Sequence, residues 1–67
     1  MLDAKAIGSR LKKLRGDLPL KTVASDCNIS SSALGMYETG KRIPRDEIKL
    51  KLAAYYHTSI DALFYTN

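Results

Sequence analysis

The stretch from Leu20 to Gly40, LKTVASDCNISSSALGMYETG, constrains this chain more than any other. Val23 and Cys27 are spaced i, i+4, and Leu34 and Tyr37 i, i+3, so each pair marks one face of a short helix. Between them Asn28 is the residue best able to take a left-handed conformation, which places a tight turn there. Ile29 then drops into the corner, and Ser30 is placed to cap the second helix by accepting from a free backbone N–H of its first turn. Ala24 is small where two steeply crossing helices need close approach.

The segments on either side read as helices too. Asp3 can cap a helix from Ala4 to about Arg15, with Ile7, Leu11 and Leu14 forming one apolar stripe and Gly16 ending it. Pro19 is tolerated in the first turn of the next helix, over Leu20 to Cys27. A third helix runs from about Ser31 to Thr39, and Gly40 stops it. Lys41-Arg42-Ile43-Pro44 is an extended basic connector, because Pro44 disfavours helical geometry at Ile43. A fourth helix starts near Arg45, carries Asp46 and Glu47 in its first turn, presents Ile48, Leu52, Tyr55 and Tyr56, and ends around His57. Thr58-Ser59 caps a fifth from Ile60 to about Phe64. Five short helices with brief connectors make an all-α bundle, with a helix-turn-helix arrangement at helices 2 and 3, and no segment alternates like a strand.

With 67 residues and no linker, the chain reads as a single domain over residues 1–67. A core of this size is marginal alone, so association is favoured on stability grounds. No apolar run approaches the length of a membrane span, and the N-terminus is amphipathic without the apolar core of a signal peptide, which points to a cytoplasmic protein with no membrane partner. Cys27 stands alone at a core position and reads as an inert buried thiol. One His, one Cys and no paired carboxylates leave no nucleophile and base, no metal-binding spacing and no phosphate loop. The reading is therefore non-enzymatic, with no cofactor, no metal and no small-molecule substrate. His57 is a solvated residue at a helix end.

A net charge of +4 favours a polyanionic partner modestly, and its placement strengthens the case. Lys41, Arg42 and Arg45 cluster just after the third helix, and Lys12 and Lys13 lie on the first. In a helix-turn-helix the second helix of the motif enters the major groove of double-stranded DNA, its first residues reaching base edges while flanking cations hold phosphates. Its exposed positions are Ser31, Ser32, Ala33, Gly35, Met36 and Thr39. Ser31 and Ser32 can donate to or accept from base edges, and Met36 can meet a thymine methyl or stay solvated. Gly35, costly inside a helix, has two explanations: close approach to DNA, or close packing against another helix. Lys41 and Arg42 leave the motif on a non-helical connector and are placed for phosphates.

Taken together, IGSRLKKLRGD, VASDCNISSSALGMYETGKRIPRDEIKLKLAAYY and SIDALF resemble the Xre/Cro class of repressors, the lambda-repressor-like DNA-binding domains. The resemblance implies a five-helix domain that binds a partly palindromic operator as a homodimer and regulates transcription. It places Ser31, Ser32 and Gly35 toward bases, and Thr39, Lys41 and Arg42 near phosphates. It also implies a structural ion pair between Arg15 and Glu38 that ties the reading helix to the first. Two departures from the family stand out. Its second helix commonly opens Thr-Gln-Glu-Glu, where this chain has Pro19-Leu20-Lys21-Thr22, and Asn28 replaces the turn glycine. Leu20 cannot hydrogen-bond as the Gln does; Lys21 and Thr22 can still reach the DNA backbone, and Leu20 can pack on Met36 or a thymine methyl. The large apolar residues Tyr55, Tyr56, Leu63, Phe64 and Tyr65 exceed what one small core needs, which puts the dimer surface at Tyr56, Phe64 and Tyr65. The rival reading is a protein-interaction module, an antitoxin or anti-repressor: Leu20 and Met36, apolar groups exposed on the would-be DNA face, support it, and the basic connector opposes it.

Overall fold

The computed structural model describes residues 3–65, so the ends of the expected 1–67 unit lie outside the described residues. Five helices follow in order: α1 (Ala4–Arg15), α2 (Leu20–Asp26), α3 (Ser31–Glu38), α4 (Asp46–Tyr55) and α5 (Ile60–Phe64). Among the described residues there is no strand, and the expected all-α architecture is the one observed. No helix among them is long and apolar enough to cross a membrane.

The helix starts follow from local chemistry. Asp3 accepts from the backbone N–H groups of Lys5 and Ala6, Ser30 from Ala33 and Ser59 from Ala62, each satisfying donors that a helix leaves open at its N-terminus. Pro19 stands one position earlier than the sequence implies: it is the residue flanking α2, and its carbonyl accepts from Thr22 and Val23.

The stops share one geometry. At the ends of α2, α3 and α4 the chain passes through left-handed backbone at Asn28 (φ 58°), Gly40 (φ 76°) and His57 (φ 54°). In each, that residue and the next donate N–H to carbonyls of the last helical turn: Asn28 to Ser25 and Ile29 to Ala24, Gly40 to Tyr37 and Lys41 to Met36, His57 to Ala54 and Thr58 to Ala53. This paired closure is the Schellman motif, and it turns the chain sharply without leaving carbonyls bare. Cys27 and Tyr56, expected inside helices, are instead the flanking residues of these turns.

Ile7, Leu11, Val23, Ala24, Cys27, Leu34, Tyr37, Leu52, Ala53, Leu63 and Phe64 form the core. Every helix contributes, so no pair of elements could bury its apolar face alone. Two expectations are corrected here. Leu14 is 42% exposed rather than part of the α1 core stripe, because the five-residue α5 leaves it at the open side of a groove with Arg10, Lys13 and Ala62. Phe64 is 2% exposed and closes the core of this one chain, so it offers no surface to a second copy. Leu63 is likewise core.

Lys49 is buried, which the helical pattern of α4 does not announce. Its ammonium donates to the Tyr65 hydroxyl at 3.0 Å and lies 5.0 Å from the Tyr65 ring centroid and 5.8 Å from that of Phe64. Its stem is covered by apolar neighbours while its charge faces aromatic faces and the exposed carboxylate of Asp46 at 3.5 Å. The Tyr65 hydrogen bond holds the Lys49 ammonium above its ordinary range, and it stays charged.

Candidate nucleic-acid interface

Helix α3 is set by α1. Gly8 lies so close to the C-terminal turn of α3 that a Cβ there would overlap the Glu38 carbonyl oxygen and sit 2.7 Å from that of Tyr37. One turn earlier, Lys5 abuts Gly40, whose added Cβ would meet the Lys5 Cγ at 3.0 Å and Cα at 3.1 Å. At the other end of α1, Arg15 donates through Nε to Glu38 Oε2 at 2.8 Å and through Nη2 to Oε1 at 3.0 Å. This is a two-pronged ion pair whose side chains are only 18% and 5% exposed, and the Glu38 hydrogen bond raises the Arg15 pKa further. The Arg15 guanidinium also donates from Nη1 to the Leu18 carbonyl at 2.8 Å, which fixes the loop leading into α2.

With its C-terminal half held in this way, α3 presents its opposite face outward. Ser32 is exposed, and Ser31, Gly35 and Met36 are half-buried. Ala33, expected outside, packs against the core. Lys21 and Thr22 on α2 are exposed, as are Thr39, Lys41 and Arg42 beyond α3. Lys41 and Arg42 both donate their backbone N–H to the Met36 carbonyl, at 2.9 and 3.3 Å, so the basic connector leaves α3 on a defined path. The Thr39 hydroxyl donates to the Gly35 carbonyl at 2.9 Å; with its proton engaged there, it is a poor donor to a phosphate oxygen.

Gly35 itself is not needed for helix packing. An added Cβ would meet only Leu20 Cδ2, at an ordinary 3.9 Å. Leu20 is half-buried against the core, on Gly35. Met36 is also half-buried, so neither apolar residue expected to be exposed on this face stands fully exposed.

Elsewhere, the Cys27 thiol is buried and pushed up in pKa by that burial and by Asp26, as befits an unreactive core thiol. Tyr55 donates to Asp26 at 2.8 Å, tying α4 to the end of α2. Tyr56 packs edge-on against Tyr55, ring centroids 5.2 Å apart. Its buried hydroxyl finds no hydrogen-bond partner among the described residues, and burial, reinforced by the Glu38 carboxylate, pushes its pKa to about 12. Tyr65 is 52% exposed.

Sequence reasoning missed Gly8, Lys5 and Lys49. A glycine spaced among the first helix's apolar residues was the one available sign of close approach.

Two short helices joined through a left-handed Asn, the second held outward by the first helix of the chain and flanked by exposed cations, define a helix-turn-helix DNA-binding protein. The helix-turn-helix family model matches residues 11–63, and the chain belongs to that family in its Xre, lambda-repressor-like form, a DNA-binding regulator. A search of curated proteins gave no match.

Proposed function

We propose that the protein is a sequence-specific transcriptional repressor that binds a partly palindromic operator as a homodimer, with residues 1–67 acting as one unit. The observation that carries this reading is the outward face of α3: exposed Ser32 with Ser31, Gly35 and Met36 beside it, bracketed by the exposed cations Lys21, Lys41 and Arg42. Ser31, Ser32, Gly35 and Met36 meet base edges in the major groove. Lys21, Thr22, Lys41 and Arg42 hold phosphates; Thr39 stands beside them at the phosphate end of α3, but its hydroxyl and its backbone N–H both donate to the Gly35 carbonyl, so it shapes that end rather than donating to a phosphate. Repression follows from occlusion, because a body of this kind bound across a promoter excludes polymerase.

The dimer surface lies on the exposed side of α4 and beyond α5. Leu50, 58% exposed, and Tyr65, 52% exposed, flank the Lys49 cluster, with half-buried Ile60 between them. Tyr56 contributes at most an edge, being half-buried. A second copy covering this patch supplies the apolar burial that so small a core lacks.

Selection of bound duplexes from a random DNA pool tests the reading. The expected product is a motif of two related half-sites with centres about 34 Å apart, one helical turn. A pool that yields no enriched sequence, or a binding constant that does not fall as salt rises, refutes it.

A further inference from the structure

The connector cations Lys41 and Arg42 are neighbours in sequence, but the fold brings a third cation to them from far away. Gly40 stands at the point where α3 gives way to the connector, at φ 76°, and it is against Gly40 that the first turn of α1 packs. The backbone N of Lys5 is 3.2 Å, its Cα 3.1 Å and its Cγ 3.0 Å from where a Gly40 Cβ would stand. A side chain at position 40 would push α1 away, so Gly40 is what allows Lys5 to sit beside the exit of the reading helix. Lys5 is exposed and its ammonium makes no ion pair among the described residues. The one carboxylate close in sequence, Asp3, is occupied by the N–H groups of Lys5 and Ala6. Residues 41 and 42 then leave from the same point, also exposed.

We propose that Lys5 is a phosphate-contacting residue: together with Lys41 and Arg42 it forms one basic track that grips the DNA backbone where the C-terminal end of α3 leaves the groove. Lys5 lies outside residues 11–63, so family membership does not assign it this role. The inference rests on the DNA-binding reading of α3, since a track beside α3 is useful only if α3 is at DNA. Lys suits the position as a compact charge on a flexible stem that finds a phosphate without a fixed fork geometry.

Lys13, which its place in the sequence groups with the DNA-side cations, lies instead on the α5 side of the fold and provides an internal control. It carries the same charge on the same helix, but it lines the groove with Leu14 and Ala62 on the α5 side. Lys5→Gln and Lys13→Gln are to be compared with the wild-type chain by fluorescence anisotropy on a duplex selected by the wild type, over a salt series. For Lys5→Gln the slope of log K against log salt is expected to become shallower by about 0.9 per protomer, with affinity reduced alike for operator variants and their order unchanged. Lys13→Gln is expected to leave the slope as it is, and Lys5→Arg to restore it. Thermal melts of all variants read the competing role, in which Lys5 only complements the negative end of the α3 dipole.

An unchanged slope in Lys5→Gln, with or without a lower melting temperature, overturns the proposal while leaving the DNA-binding reading intact. So does an equal loss in Lys13→Gln, because it would make the effect one of diffuse charge. A wild-type protein that binds no selected duplex would sink both.

Discussion

Replacing Gly35 by Ala separates the two reasons for a glycine inside α3. A helix-interior Gly costs about 1 kcal/mol relative to Ala, chiefly through the entropy of the unfolded chain. The new Cβ would meet Leu20 Cδ2 at 3.9 Å, an ordinary contact, so no packing penalty offsets that gain. The expected result is a stabilisation of about 0.5–1 kcal/mol, which for a domain of this size raises the melting temperature by about 2–8 °C. If the face of α3 approaches bases as closely as proposed, the same methyl weakens operator binding, by about tenfold or 1.4 kcal/mol. Gly8→Ala is the counterpart. Its propensity gain is the same, but its Cβ would overlap the Glu38 carbonyl oxygen and lie 2.7 Å from that of Tyr37, and backbone atoms cannot rotate away. Overpacking of about 1–3 kcal/mol then offsets or exceeds the gain, and the net expectation is a loss of up to about 2 kcal/mol. Thermal denaturation followed by circular dichroism, with anisotropy on the selected duplex, reads both quantities. A Gly35→Ala protein that melts lower would show that a packing constraint had been overlooked. One that melts higher and binds unchanged would remove Gly35 from the DNA face.

Glu38→Ala strips the partner from an Arg15 side chain that is 18% exposed but keeps the Leu18 carbonyl. A loss of about 2 kcal/mol in a urea titration is expected, below the full cost of orphaning a buried charge, and Arg15→Met with Glu38→Leu together should cost less than Glu38→Ala alone. Tyr56→Phe removes a buried hydroxyl that has no partner among the described residues and should stabilise by about 1 kcal/mol at neutral pH. Its pH signature has a definite sign: the folded pKa of about 12 lies above the ordinary 10, so the native state keeps its proton longer. The stability tied to that proton is intact below pH 10 and is lost as pH rises toward 12, and the wild type should lose more than Tyr56→Phe over that window. His57→Gly should raise the melting temperature, because left-handed backbone costs a residue with a Cβ about 1–2 kcal/mol and His57 is exposed with φ 54°. A fall would mean that His57 makes a contact worth more than that strain.

How much of this could be read from residue order depends on the range of the interaction. Asp3, Ser30 and Ser59 cap the helices that their positions imply, and Asn28 turns left-handed where the apolar spacing breaks, because caps and turns are settled within four residues. His57 also turns left-handed, which its residue type signals only weakly, His being enriched there among residues with a Cβ; the hydrogen bonds from His57 and Thr58 to Ala54 and Ala53 fix the conformation. The misplaced residues are those whose surroundings come from distant segments. Leu14 has the right spacing for a core stripe, yet its cover depends on the length of α5, which is five residues. Lys49 has the wrong chemistry for a core, yet Phe64 and Tyr65 arrive to enclose it. On the reading face, Ser32, Lys41 and Arg42 are exposed as helical geometry and the connector imply, whereas Leu20 turns inward onto Gly35.

That inward turn changes what the start of α2 can do. The family resemblance gives a Gln at this position the work of bridging DNA and the reading helix, whereas Leu20 turns its side chain onto the protein beside Gly35 of α3, and the rest of the bracing comes from α1. An eight-residue helix is too short to hold its own conformation in water, so its pose comes from its neighbours. Here α1 supplies backbone contact at Gly8, a close stem contact between Lys5 and Gly40, and the two-pronged Arg15–Glu38 ion pair. These three contacts are spread over nearly the full length of α1 and converge on the last turn of α3 and its stop. In the first turn Ala33 and Leu34 pack on the core, and among the described residues the Ser30 cap is that turn's one side-chain hydrogen bond, which leaves the Ser31 and Ser32 hydroxyls open. The contacts with α1 are thereby concentrated at the end of α3 nearest the proposed phosphate track, away from Ser31 and Ser32, the residues proposed to meet bases. Mutations along the α1 seam should consequently weaken binding to all duplexes together, while substitutions at Ser32 should change which duplex is preferred, and a Ser32→Ala protein that ranks operator variants as the wild type does would break that division of labour.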